Sequence, residues 1–466
     1  MDLMEREVAP GSKFFVIVGS YRTDAATSRL KATGIYYVAK SLDSKPANWT
    51  KTAEYIASPD ATGAIIKVTS RNLASMRTSR YAEATERLFE ALTKKRHLLL
   101  VHEDVLSAGE DEEKGPAQIE IDWDDPEAVE AEYRRSFFAP AAPEARELFL
   151  TAVEQYGLNL MLYKTNAELS VLTSTFVEQS ENNLIFRLYV PSSRLWAQEA
   201  DKLLGLFRDW LSRVKGERVR QDGYHTGHGQ VFEFYVDSPP DGESGSFLGF
   251  EDFSQFLELC GDDPQAAALM LRDAGTSAAA VPDLIRRFSK EVTRLRRDLR
   301  HEREAKLLSI RHRLENELSE LGEEEQLPST AELATWVEEL VPDERALTSA
   351  LTAEAVAPER PQSVTIVYKP QVISTVHGVV TQEVQGSVNF GPDARQILEL
   401  IERFGERERA ELTSSLHELE DPDSQRSSRL AAAGRMKAFL ARVGRKAEEI
   451  GTPLLIKYLE QKTGLA

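Results

Sequence analysis

The sequence predicts a multidomain α/β and α+β protein, and three observations carry that reading. Between Phe14 and Leu106, short apolar runs of strand length alternate with stretches of helical period. A long charged stretch from Leu284 to Leu321 keeps apolar residues at three- and four-residue spacing. Residues 362–391, QSVTIVYKPQVISTVHGVVTQEVQGSVNFG, form a Val/Thr/Ile-rich stretch between two helical regions. With 466 residues the chain exceeds one ordinary core, and two to four domains are expected.

Taken in order, FFVIVGSY, GAIIKVTS and HLLLVHEDVL read as strands, while ANWTKTAEYIA and RYAEATERLFEALTKK have helical spacing. IYYVAKSL fits either a helix end or a further strand. Residues 1–106 therefore form an α/β domain with a mainly parallel, buried sheet. Residues 107–142 are an acidic linker, since 107–132 hold eleven carboxylates and one lysine that repel one another and stay solvated.

A second, α+β domain is expected over 143–237: the helix EARELFLTAVEQYG, strand-like LNLMLYK, two further runs, an amphipathic helix through Trp196, Ala200, Leu203, Phe207, Trp210 and Val214, then the hairpin ERVRQDGYHTGHGQVFEFYV turning at Gly227 and Gly229. Strand, helix and hairpin in that order suggest a ferredoxin-like arrangement. Residues 250–350 read as a helical connector with one seam through Ile285, Phe288, Val292, Leu295 and Leu299 and a second through Ile310, Leu314, Leu318 and Leu321. Glu302 and Lys306 fall between the seams, which predicts two packing surfaces around an exposed middle rather than one coiled coil. A β-ribbon over 362–391 and a helical bundle over 392–466, opened by Pro392, complete the chain.

Composition excludes several classes. Residues are 41% hydrophobic and 29% charged, with no apolar run of about 18 residues, so a soluble chain without membrane spans is expected. The opening MDLMEREVAPGSK lacks the basic-then-apolar order of a secretory signal, and the single Cys260 fits a reducing cytoplasm and packs as a small apolar residue. Abundant Ala, Arg and Glu suggest a bacterium with a GC-rich genome. A net charge of −19 disfavours general binding to nucleic acid or anionic lipid.

The local exception is 286–313, with eleven Lys and Arg against four acidic residues; Lys290, Arg294, Arg297 and Arg300 are its candidate contacts to nucleic acid or a phosphorylated ligand. No aromatic residues interleave with them for stacking bases, and pairing with the chain's own carboxylates is the competing reading. His225 and His228 in YHTGH are spaced as metal ligands sometimes are. Two imidazoles fall short of a zinc set and no second cluster stands nearby in sequence, so no metal is expected. Ser20 after a strand lacks the glycine pattern of a nucleophile elbow, and no phosphate loop or dinucleotide fingerprint occurs.

FFVIVGSYRTD, the helix bearing Trp49, and GAIIKVTSRNLASMRTSRYAEATE give residues 14–106 a resemblance to Toll/interleukin-receptor (TIR) domains. Its enzymatic members cleave NAD with a helix glutamate, and the resemblance implies Glu83 or Glu86 in that role, with Ser20, Tyr21 and Arg22 lining the pocket. The family's Trp-Cys pair before the glutamate is absent; Tyr81 is the aromatic nearby. HGVVTQEVQGSVNFGPDARQI and the helices after it (residues 376–466) resemble tails of bacterial abortive-infection and antiphage-defence proteins.

The expectation is thus a cytoplasmic bacterial interaction or signalling protein of antiphage type. It would be homo-oligomeric through its β-ribbon, because a lone two- or three-stranded ribbon recruits another edge. The alternatives are a TIR-like NAD glycohydrolase activated by assembly, with NAD as substrate, and a nucleic-acid binder using the Arg-rich helix.

Overall fold

The computed structural model describes residues 12–19, 27, 30–32, 34–107, 137–192, 197–237, 250–319, 329–341, 390–444 and 452–464. The chain forms two compact units. The first takes residues up to Leu184 together with Gln425–Ala466, and the second takes Ile185–Asp237 with Ser246–Ser424.

The first unit is built on a parallel sheet of β1 (Phe14–Val18), β2 (Tyr36–Lys40), β3 (Ala61–Val68), β4 (His97–His102) and β5 (Leu160–Tyr163). Their spatial order is β2-β1-β3-β4-β5, with Phe15 opposite Tyr37 and Gly63, Ile66 opposite Leu99, and Val101 opposite Leu162. Every residue of β1 is buried because the strand has core on both faces. Phe14, Val16, Val18, Ile66 and Leu99 enter one apolar cluster with Trp49, Leu88 and Phe149, whereas Phe15, Ile17, Ile65 and Leu100 enter another with Leu169 and Leu172. The helices are α1 (Pro46–Ala57), α2 (Ser70–Met76), α3 (Ala82–Thr93), α4 (Glu103–Leu106), α5 (Pro143–Tyr156) and α6 (Asn166–Glu181). IYYVAKSL resolves as a strand, its amides completing the edge beside β1.

Two boundaries differ from those the sequence predicts. LNLMLYK supplies β5, hydrogen-bonded to β4, so residues 143–184 complete the first sheet and the acidic 107–142 segment connects parts of one unit. The reason is that β4 would otherwise be an open edge of bare backbone donors and acceptors. The ferredoxin-like reading of 143–237 falls with it, because the remaining strands form a separate three-stranded sheet. The 392–466 bundle also divides, since α14 (Arg426–Val443) and α15 (Thr452–Thr463) belong to the first unit.

Small residues explain that attachment. A Cβ on Gly434 would stand 3.1 Å from the Leu162 carbonyl oxygen, so α14 lies close against β5, with Ala431 and Ala438 packed on either side of the sheet core. Charge completes it. Lys437, 2% exposed, reaches Glu103 at 3.0 Å and Glu460 at 3.5 Å, and Lys164 reaches the same two carboxylates at 3.5 and 2.9 Å. Glu103 follows β4 and Lys164 follows β5, so the four alternating charges fasten both terminal helices to the carboxyl end of the sheet.

The second unit contains β6 (Leu184–Pro191), β7 (Val219–His225) and β8 (Gly229–Val236) in the order β6-β8-β7. The expected hairpin is present, Val219 facing Val236 and His225 facing Gln230. Its core is aromatic: Phe207 of α7 (Ala197–Arg213) lies 5.6 Å from Phe186 and Phe234 and 5.2 Å from Phe253. Helices α8 (Phe250–Asp262), α9 (Pro264–Asp273), α10 (Val281–Ser319) and α11 (Thr330–Leu340) extend that core. Cys260 is buried within it, and burial pushes its thiol up to about 12.

Helix α10 runs unbroken for 39 residues. Leu307 takes up the seam between Leu299 and Ile310, so the middle packs where an exposed gap was expected. Glu302 is half-buried there, and burial together with nearby Glu199 raises its carboxyl pKa. Helices α12 (Pro392–Phe404) and α13 (Arg409–Glu420) close the unit. Of the 362–391 ribbon, residues 362–389 lie outside the described residues; Phe390 is buried with its ring 4.9 Å from His417 of α13. Trp196 and the acidic residues from 108 to 132 also lie outside them.

Candidate functional site

In a parallel sheet ordered 2-1-3-4-5, the chain leaves β1 toward one side and β3 toward the other, and the crevice at their carboxyl ends is where such sheets take ligands. A shallow cleft, open to solvent and enclosing only about 20 Å³, lies there. Its floor is Gly19 at the end of β1, Ser41, Leu42 and Asp43 after β2, and Lys67 and Thr69 at the end of β3. Asn72, Phe137 and Phe138 complete the lining.

The walls are held by a chain of hydrogen bonds. Thr69 caps α2: its hydroxyl accepts from the Asn72 amide at 3.3 Å, and Asn72 Oδ1 accepts from the Thr69 amide at 3.0 Å. With its oxygen so engaged, Asn72 turns Nδ2 toward Asp43 and donates to its Oδ1 at 3.2 Å. The loop carrying Asp43 is anchored from below. The buried Trp49 indole donates to the Leu42 carbonyl at 2.8 Å, Tyr81 donates to the Ser44 carbonyl at 2.9 Å, and the two rings meet edge-on at 5.1 Å.

The lining residues Lys67, Phe137 and Phe138 are in turn contacted by Arg71 and His102, which lie outside the lining. The Lys67 ammonium lies 5.1 Å from the Phe138 ring centre, the His102 ring lies 4.9 Å from the same ring, and the Arg71 guanidinium lies 4.8 Å from Phe137. His102 Nε2 is 2.8 Å from the Lys164 carbonyl, and its Nδ1 accepts from the Asp104 amide. The neutral tautomer with hydrogen on Nε2 satisfies both contacts. One cation, one oriented carboxylate, two hydroxyls and flat rings thus line a single crevice. No histidine or cysteine is among the lining residues.

Ser20, Tyr21 and Arg22 follow Gly19 directly in sequence and lie outside the described residues. Glu83 and Glu86 are on the exposed face of α3, Glu83 pairing with Arg87 at 2.7 Å, and the cleft lining does not include them. The aromatics Trp49 and Tyr81 noted in the sequence act indirectly by fixing the Asp43 loop. Lys67 and Asp43 carried no motif; their signal is position, one residue before a strand's end and three after one.

On α10, Lys290, Arg294, Arg297 and Arg300 are exposed, with Arg294 3.8 Å from Asp298. Neighbouring arginines are engaged within the unit: Arg286 with Asp283, Arg287 with Asp209, Arg296 with both oxygens of Asp262 at 2.7 and 3.1 Å, and Arg313 with Glu317. Much of the basic excess is therefore matched by carboxylates of the same unit.

The YHTGH turn meets the end of α13. Arg187 of β6 bonds both oxygens of Glu418 at 2.6 and 2.5 Å and Glu233 at 3.0 Å, and Tyr189 donates to Asp421 at 2.6 Å. No spacing in the sequence links these residues.

Compared with known proteins, the chain matches no family model, no curated protein and no solved structure. Among the described residues no helix is long and apolar enough to cross a membrane.

Proposed function

We propose that this protein binds a nucleotide-class ligand in the cleft at the carboxyl ends of β1, β2 and β3. The observation that carries the reading is the joint presence of Lys67, the oriented Asp43 carboxylate and the Phe137/Phe138 rings at the point where the sheet's connections diverge. An ammonium suits a phosphate, a carboxylate suits ribose hydroxyls, and a flat ring suits a base. The valine-rich 362–391 segment of the sequence supports a link between such binding and self-association.

Cleavage of NAD is the second reading. It is favoured by Trp49, whose helix is part of the TIR resemblance and which, with Tyr81, holds the cleft's loop. In that case Glu83 or Glu86 is the required carboxylate, and Asp43 the one adjoining the cleft.

Calorimetric titration of the full chain with ATP, GTP and NAD tests both. Binding of at least one is expected, with Lys67→Met and Asp43→Asn each weakening it by about tenfold or more, since a hydrogen bond to a charged group contributes roughly 1.5–3 kcal/mol. Nicotinamide release that Glu83→Ala or Glu86→Ala abolishes identifies the enzyme. No binding of any nucleotide, or unchanged binding by both cleft variants, overturns the proposal. Light scattering on the same samples reads assembly: a lone 52.2 kDa particle with and without nucleotide ends the link to self-association.

A further inference from the structure

We infer that His228, Asp421 and Asp423 form a site for one divalent metal ion of the zinc class. One ligand atom from each lies within 4.8 Å of the others, although the imidazole comes from the β7–β8 turn and the carboxylates from the segment after α13.

The buried member is Asp421, 2% exposed. Its Oδ2 accepts from Tyr189 at 2.6 Å and from the Thr226 hydroxyl at 2.5 Å, and its Oδ1 accepts from the Asp423 amide at 2.9 Å. Two donors occupy Oδ2, so Oδ1 keeps a lone pair, and donors to the outer atoms of a ligating carboxylate are what orient it toward a metal. Charge points the same way. The one guanidinium in this network, Arg187, is engaged by Glu418 and Glu233, and among the described residues Asp421 has no ion-pair partner. Three donors hold that carboxylate in place, and a bound cation would add the counter-charge it lacks.

The turn is shaped to let the second carboxylate in. Gly227 donates its amide to Asp423 Oδ2 at 3.3 Å, and a Cβ at that position would stand 2.9 Å from the same oxygen. Thr226 holds the turn by accepting from the His228 and Gly229 amides at 3.2 and 2.8 Å. A tetrahedral ion with bonds of about 2.1 Å needs ligand atoms roughly 3.4 Å apart. With the three ligand atoms within 4.8 Å of one another, closure on an ion would draw the exposed His228 and Asp423 side chains toward the buried Asp421. One imidazole and two carboxylates without a thiolate suit Zn²⁺ or Co²⁺ over Cu⁺, and three protein ligands leave a coordination position open.

The test is titration of chelator-stripped full-length protein with Zn²⁺ by calorimetry and with Co²⁺ by visible absorption. One equivalent is expected to bind, with affinity lowered at least about tenfold by His228→Ala and by Asp423→Asn. It should be unchanged by His225→Ala, which alters the nearby imidazole outside the cluster. Both ligand positions are exposed, and far-ultraviolet circular dichroism verifies that the variants fold. Absence of binding to the wild-type chain, survival of binding in both ligand variants, or its loss in His225→Ala overturns the assignment.

Discussion

His97 shows how much a single side chain can be constrained. It opens β4, is buried, and accepts the Asn159 amide on Nε2 at 2.9 Å, so Nδ1 carries the hydrogen that faces the Lys95 carbonyl at 2.9 Å. Burial lowers its pKa, the backbone contacts opposing this only in part. A histidine kept neutral by folding leaves the unfolded chain to bind the proton first. Its contribution to stability is therefore complete above the unfolded value near 6.5 and is lost as pH falls below it. Urea unfolding between pH 7 and pH 5 is expected to show stability declining by up to about 1.4 kcal/mol per pH unit from this group, and His97→Gln to flatten that slope. An unchanged slope in the variant would show that His97 takes up its proton alike in the folded and unfolded chain. Nothing around His97 in the sequence marks this role, because its partner Asn159 is distant in the chain. Cys260, by contrast, was legible as a packed apolar residue, since one cysteine without partners has few other uses.

At the scale of elements, β1, β3 and β4 were legible because strands buried on both faces read as unbroken apolar runs. Helix α10 was legible in length and misread at its centre, where Leu307 replaces the expected seam position and draws Glu302 inward. The attachment of α14 was not legible at all. Its small residues give no amphipathic stripe, and its contacts are with strands some 270 residues earlier. The charge cluster on that helix makes the attachment testable. Glu460 would have its pKa raised by burial, but the Lys164 hydrogen bond and the Lys437 charge hold it below the usual value. Its contribution is therefore present above about pH 4.5 and lost as pH falls through the lower folded value. Lys437→Met leaves Glu103 and Glu460 with Lys164 alone, and chemical denaturation at pH 7 is expected to show a loss of about 3–5 kcal/mol. A loss below about 1 kcal/mol would mean that solvent already screens the pair.

For the molecule as a whole, the division into units was the least legible feature, because composition marks 107–132 as a boundary although the sheet continues beyond it. Acidic density reports solvation and carries no information about which strands pair. The same discontinuity makes the first unit depend on its distant segment. A chain ending at Ser424 lacks α14 and α15, so β5 loses the cover seen at Gly434 and Ala438. Hydrogen exchange at Leu160–Tyr163 is expected to accelerate in that chain and to slow again when a peptide of residues 425–466 is added. Equal protection with and without the segment would show that the sheet is complete by itself.

About 240 residues separate the two parts of the first unit. On a ribosome adding roughly 5–20 residues per second, the sheet waits roughly 12–48 s for the helices that cover it. Throughout that interval β5 lacks the helix that packs against it in the folded chain.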